Sequence, residues 1–379
     1  MKTDRVIFGF LAVAVCLVCA MACGCVDDST SVQTSPEHQT GGTEMITVTD
    51  ALGREVTVPK SPERVVCSGA GCLRYLTYLR AQDRIVGVDD IEQRDTIFDA
   101  RPYALANPQF KDYPLIGEFR GNDDPEKIVA ANPQVIFKTY LTSPEDADEL
   151  AEKTGIPVIA LTYGSLSTYR DDMYASLRLM GHVMDREERA EEVIAFFNAA
   201  IADLNTRTED IPESEQPTTY VGGIAKSGPH GFQSTEPAYP PFAFVHANNV
   251  AGELGTDHAD VAQEKIVEWD PELIFVDLST LQTDPNAVTE LRDDPSYQGL
   301  SAVQAGEVYG VLPYNWYTQN HGSIVADAYY IGTVLFPDRF SDVDPAAKAD
   351  EIYTFLVGEP VFDEMNKAFG DKGFTRLSI

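Results

Sequence analysis

Two distant segments of the chain nearly copy one another: Glu126-Lys-Ile-Val-Ala-Ala-Asn-Pro-Gln-Val-Ile-Phe137 and Glu264-Lys-Ile-Val-Glu-Trp-Asp-Pro-Glu-Leu-Ile-Phe275. Each reads as a short helix ended by Asn-Pro or Asp-Pro, because proline has no amide donor and pushes its predecessor out of the helical region. A buried strand follows in both. One unit recurring in two places constrains the fold more than composition does: the chain is built from two similar lobes. A common helix-to-strand connection arising twice explains the apolar positions. It leaves unexplained the glutamate at the head of each helix, preceded by Asp123-Asp124-Pro125 in one copy and by Asp260-Val-Ala-Gln263 in the other.

The surrounding sequence fits that plan. A chain of 379 residues exceeds one small core and suits two domains of ordinary size. Ile46 to Pro59 shows two alternating runs about a glycine-containing turn, a hairpin signal. Short apolar runs then alternate with helical stretches at 64–67, 85–88, 135–137 and 158–162, and again at 219–221 and 273–276. Strands buried on both faces and separated by helices indicate parallel α/β sheets. From Leu166 to about Thr206 a proline-free stretch carries apolar residues at helical spacing and reads as one long helix, kinked near Gly181. The expected fold class is α/β, with two Rossmann-like lobes at 46–165 and 209–379 joined by a single long helix at 166–208.

The amino-terminal region has a different character. Lys2 and Arg5, an apolar run from Ile7 to Met21 and small residues at Ala22 and Gly24 form an export signal over residues 1–24. Ala22-Cys23-Gly24-Cys25 reads as a lipobox, with Cys25 the first choice for lipidation and Cys23 the second; an uncleaved membrane anchor is the alternative. Residues 25–45, rich in Ser, Thr, Gly and acids, are the expected tether. Four of the six cysteines lie in this region, which leaves Cys67 and Cys72 for the folded body, too few for a disulfide framework or a Cys-rich zinc site. Unpaired packing of these two is favoured over a mutual disulfide. A formal charge of -32 repels nucleic acid, so no nucleic-acid partner is expected.

With the repeat, Val48-Thr-Asp-Ala-Leu-Gly-Arg-Glu-Val56, Pro62-Glu-Arg-Val-Val-Cys67, Arg84-Ile-Val-Gly-Val88 and Thr154-Gly-Ile-Pro-Val158 taken together, the chain from Ile46 onward resembles the class III, helical-backbone substrate-binding proteins of ABC importers for ferric siderophores, haem and vitamin B12. The resemblance implies an extracytoplasmic, lipid-anchored, monomeric protein that passes a small-molecule metal complex to a permease dimer served by separate ATPase subunits. It also implies that Glu126 and Glu264 meet arginines of the permease. It implies neither enzyme activity nor a resident cofactor.

In such two-lobed proteins ligand contacts come from loops at the carboxyl ends of strands. That rule selects the Ser68 to Cys72 turn, Arg94, Glu118 to Arg120, Tyr140 and Tyr163 in the first lobe. In the second it selects Lys226 and His230, then Tyr314, Trp316 and Tyr317 followed by His321. Aromatic faces suit a planar chelate and arginines an anionic one. An iron(III) complex is the expected cargo, with cobalamin, haem, or molybdate or tungstate as alternatives, or a surface metal sensor without an importer. No residue is assigned as a metal ligand.

Two enzyme readings are weak. Gly69-Ala-Gly71-Cys-Leu-Arg74 mimics a dinucleotide fingerprint, but Arg74 replaces its third glycine. Cys72 as a nucleophile would need His230 or His321 as its base.

Overall fold

The computed structural model describes residues 44–379; the expected signal peptide, the lipidated Cys25 and nearly all of the tether lie outside the described residues. The chain enters through the hairpin β1 (Met45–Thr49) and β2 (Glu55–Pro59), paired antiparallel. The first lobe then lays down β3 (Val65–Ser68), α1 (Cys72–Tyr78), β4 (Ile85–Asp89), α2 (Pro102–Leu105), β5 (Leu115–Glu118), β6 (Asn122–Asp123), α3 (Pro125–Ala131), β7 (Val135–Lys138), α4 (Pro144–Thr154) and β8 (Val158–Ala160). Their sheet has the order β6-β5-β4-β3-β7-β8, parallel except for the edge strand β6. The first strand therefore sits inside the sheet, and the chain runs outward to one side before jumping to the other. The carboxyl ends of β3 and β7 flank the resulting switch point, where doubly wound sheets bind ligands.

Two helices follow, α5 (Arg170–Met184) and α6 (Glu187–Thr208). The stretch expected as one helix over 166–208 is thus divided. Asp185 takes a left-handed conformation (φ 56°), ends α5 and lets the chain turn, so that α5 packs against α6 rather than extending it. The kink foreseen at Gly181 is a full break four residues later. Gly181 instead permits the close crossing, since a β-carbon there would lie 2.9 Å from that of Ala190. The single long connector is α6 alone, 22 residues and about 33 Å long.

The second lobe comprises β9 (Thr218–Gly222), β10 (Ser234–Thr235), α7 (Pro240–Phe244), β11 (Asn248–Asn249), β12 (Ala259–Asp260), α8 (Gln263–Trp269), β13 (Leu273–Asp277), α9 (Ala287–Asp293), α10 (Ser301–Ala305), β14 (Val308–Val311), α11 (His321–Leu335), α12 (Pro345–Val357), α13 (Phe362–Ala368) and β15 (Thr375–Arg376). Its sheet runs β11-β9-β13-β14-β15, parallel apart from β15, while β10 and β12 pair antiparallel beside it. The switch point here lies between β9 and β13.

The sequence repeat becomes a structural one. In each copy a seven-residue helix ends in a left-handed residue, Asn132 (φ 53°) or Asp270 (φ 42°), and a proline prevents it from continuing. The strand that follows then pairs parallel with the first strand of its own lobe: Ile136 opposite Val66, and Ile274 opposite Tyr220.

One apolar core runs through both lobes, from Tyr75 and Leu76 of α1 through Leu177, Phe197 and Ile201 to Ile324 and Tyr353. The carboxyl-terminal helices also cross back. Helix α12 packs on α1 and α2, and α13 on α2, although residues 345–368 were expected within the second lobe. Arg80 of the first lobe donates to the carbonyls of Thr354 and Phe355 at 2.7 and 3.0 Å. Phe196 of the connector stacks on Phe355 with centroids 4.2 Å apart.

Candidate functional site

Between the lobes, at the two switch points, lies a cleft of about 1020 Å³. Its first-lobe wall begins where β4 ends. Asp90 accepts from the amide of Phe119 at 2.9 Å and pairs with Arg94, and this fixes the arginine in the mouth of the cleft. The Arg94 guanidinium lies over the Phe119 ring, 5.1 Å from its centroid, and donates to the Tyr317 hydroxyl of the opposite lobe at 3.2 Å. Phe119 and Tyr317 meet edge to face at 5.0 Å. Burial opposes the charge of Arg94, but the hydrogen bonds to Asp90 and Tyr317 outweigh it and raise its pKa.

Arg120 covers Phe119 at 5.2 Å and has no ion pair among the described residues. Beyond β7, Tyr140 takes a left-handed backbone (φ 62°) and leaves its ring 54% exposed in the cleft wall. Such a conformation in a non-glycine residue costs on the order of 1 kcal/mol and is concentrated at functional sites.

The second-lobe wall is the 225–229 turn with the 315–318 loop. Asn315 donates to the carbonyl of Ala225 at 2.7 Å and ties the two together. Lys226 is exposed, lines the cleft and has no ion pair among the described residues. Trp316 and Tyr317 complete this wall. The charged lining is therefore Arg94, Arg120 and Lys226 against Asp90 and Glu118, an excess of one positive charge in a chain whose formal charge is -32. Asp90 is engaged by Arg94, and Glu118 accepts from the side chain of Asn122 at 3.0 Å, so Arg120 and Lys226 are the cations left to meet a ligand.

Six of the residues selected from the sequence are thus brought together: Arg94, Arg120, Tyr140, Lys226, Trp316 and Tyr317. Five are not. Cys72 is fully buried, with its thiol 3.4 Å from the carbonyl of Phe137, and burial pushes its pKa well up, the opposite of an activated nucleophile. Cys67 is a buried free thiol as well. Tyr314 is 2% exposed and packs edge-on to Tyr239 in the core. His321 is fully buried and stacked on Tyr163 at 5.1 Å; burial, and then the nearby Arg74 charge, hold its pKa well below the usual range, so the ring is neutral. Tyr163 lies beneath the cleft, donating to the Gln319 carbonyl at 2.7 Å. His230 sits behind the turn, with Nε2 against the Lys226 carbonyl at 2.8 Å. Cys72, His230 and Tyr314 are thus held within their own lobes, whereas Tyr163 and His321 meet at the contact between the lobes.

Sequence reasoning missed the residue that governs that contact. Arg74, 1% exposed on α1, hydrogen-bonds Tyr163 and reaches across to the Gln319 carbonyl and the Asn320 side chain, each at 2.7 Å. No acid pairs with it among the described residues, and the Tyr103 ring lies 5.1 Å from the guanidinium. The signal was an arginine inside the otherwise apolar helix Cys72-Leu-Arg-Tyr-Leu-Thr-Tyr78. Gly71 (φ 86°) admits this arrangement, since a β-carbon there would collide with the Tyr163 ring.

Neither Glu126 nor Glu264 lines the cleft; each is exposed in the first turn of α3 or α8. Among the described residues no group of three or more His, Cys, Asp or Glu side chains is arranged to hold a metal ion, and no helix is long and apolar enough to cross a membrane.

Residues 65–314 match the family model described as periplasmic binding protein. The chain is 24% identical over 331 residues to the molybdate-binding protein MolA of Haemophilus influenzae, covering 81% of this chain and 89% of that one. It is 24% identical over 328 residues to the petrobactin-binding protein YclQ of Bacillus subtilis, covering 85% and 95%. Among solved structures, a periplasmic solute-binding protein of Veillonella parvula superposes with a TM-score of 0.68 at 19% identity, over 86% of this chain and 97% of that one.

Proposed function

The chain belongs to the periplasmic binding protein family, and on that premise we propose that it is the extracytoplasmic receptor of an ABC importer that captures an anionic metal chelate, an iron(III) siderophore-type complex, between its lobes. It is a transport solute-binding protein and not an enzyme. The observation that carries the ligand class is the lining of the cleft: unpaired Arg120 and Lys226 on opposite walls, with Phe119, Tyr140, Trp316 and Tyr317 between them. Free cations supply charge-assisted hydrogen bonds to an anion, and aromatic faces supply a large, rigid apolar contact. A volume near 1000 Å³ suits a ligand of drug size.

A second reading, molybdate or tungstate, is favoured by the similarity to MolA. A bare tetrahedral oxyanion would leave most of such a cleft to water. Titration calorimetry of the full chain with a ferric catecholate, haemin, cobalamin and molybdate separates these. Submicromolar binding of the ferric chelate alone supports the proposal; tight molybdate binding with no response to the chelate replaces it with the second reading.

Delivery follows from the outer faces. Glu126 and Glu264 are the docking carboxylates for arginines of a permease dimer, and Cys25, at the end of the signal segment, carries the lipid that holds the protein at the membrane's outer face. Charge reversal at both glutamates is expected to leave ligand affinity unchanged and to abolish uptake; unchanged uptake would remove the docking role. The continuous core through α6, together with the return of α12 onto α1, limits lobe closure to a small hinge motion.

A further inference from the structure

Seven large apolar side chains are well exposed among the described residues, and two of them occupy the same position of the repeat: Val129, 47% exposed on α3, and Val267, 40% exposed on α8. Each stands three residues after Glu126 or Glu264, so in both helices the valine and the glutamate share a face one turn apart. The isoleucine between them, Ile128 or Ile266, is fully buried in both. The exposed valine is therefore not an error of phase. Single exposed apolar residues are ordinary on a protein surface; what asks for a reason is the same residue bare at the same place twice, each time beside an unpaired acid.

The charges on these faces repeat too. Lys127 is paired with Asp124 at 3.0 Å, and Lys265 with Glu253 at 3.1 Å and Glu268 at 3.4 Å. Glu126 and Glu264 have no ion pair or side-chain hydrogen bond among the described residues. In each lobe the lysine is neutralised within the chain, and the glutamate and valine are left as a two-residue unit, one anionic and one apolar.

We infer that Val129 and Val267 are docking residues for the importer, and that each half of the permease presents a basic side chain beside a shallow apolar socket that takes the valine. This rests on the docking reading given above for the two glutamates. The occupant must be two-fold, because the unit is duplicated; cationic, because the exposed acids are unpaired; and locally apolar, because the valines are bare. An exposed ion pair alone contributes little, about 0–1 kcal/mol, and is screened by salt. Burying the valines supplies affinity that salt does not remove.

The test uses the full chain in its own cells, with a benzophenone amino acid replacing Ala130 or Glu268, the matched exposed positions beside the valines. Light-induced adducts are identified and quantified by mass spectrometry. Both positions should yield an adduct with the same multi-span membrane protein. Val129→Ala and Val267→Ala should each lower the yield about fivefold, and together about twentyfold, at unchanged melting temperature, since alanine is the better helix former. Reversal of both glutamates should abolish the adduct. If the double alanine variant cross-links like wild type while charge reversal abolishes the adduct, the valine inference falls and the glutamate reading stands. If neither change matters, the docking reading itself falls. Adducts with lipid or with a second copy of the chain overturn the inference in favour of those surfaces.

Discussion

The two copies of the repeated unit are alike outside and unlike inside. On the outer face α3 and α8 both present an unpaired glutamate and an exposed valine, in the same turn of helix. At the carboxyl end of the strand that follows, the copies part. Strand β7 ends in Lys138, buried and paired with Asp123 at 2.5 Å, with the Ser68 hydroxyl and the Gly121 carbonyl also within reach. Strand β13 ends in Asp277, fully buried, in no ion pair among the described residues and accepting from the Ser279 amide at 2.8 Å. On the docking proposal the shared outer pattern meets one partner common to both lobes, whereas the inner ends have different neighbours, a cation at Lys138–Asp123 and a backbone amide at Asp277.

That contrast can be broken most forcefully at Lys138. Lys138→Met leaves Asp123 buried without its cation and should cost roughly 3–5 kcal/mol, read as a drop in the denaturation midpoint. The corresponding change in the other lobe should do the reverse. Burial raises the Asp277 pKa to about 7, despite the opposing Ser279 hydrogen bonds. A carboxyl whose folded pKa lies above its unfolded value binds the proton more tightly when folded. Its contribution is then fully present below about pH 4 and is lost as pH rises toward 7. Asp277→Asn should therefore stabilise the protein by roughly 4 kcal/mol more at pH 8 than at pH 4, measured as urea midpoints at the two pH values. An equal effect at both would show that the carboxyl is not neutralised by burial.

Smaller effects sharpen the comparison at the cleft. Arg120→Gln should lower affinity for a ferric catecholate about tenfold without changing the melting temperature, because the arginine stacks on Phe119 and pairs with no acid. Smallest of all, Val129→Ala and Val267→Ala should change stability by less than about 0.5 kcal/mol, since both side chains are nearly half exposed. A larger loss would mean that these valines pack against the fold.

Much of this was legible in the residues. The repeat foretold the common helix-turn-strand unit, because proline after Asn or Asp fixes where a helix stops whatever surrounds it. The strand ends located the cleft, since parallel sheets bring their carboxyl ends to one edge. Periodicity could not tell which way a loop side chain points. Tyr314 and His321 were therefore grouped with Trp316 and Tyr317, although they turn into the core. Nor does a helix pattern reveal a break made by one left-handed aspartate without glycine or proline, as at Asp185. Arg74 was overlooked for a related reason: its worth lies in residues 245 and 246 positions away in sequence, and no local rule reaches that far.

The return of α12 and α13 onto the first lobe has a consequence for how the molecule can be taken apart. Because the end of the chain clamps the lobe in which it began, severing the 209–217 segment would not release two fragments. The halves would stay knitted together by Phe355 on Phe196 and by the Arg80 bonds, whereas loss of the last thirty or so residues would strip a wall from the opposite end of the protein. A truncated product would thus be detected by a fault in its beginning.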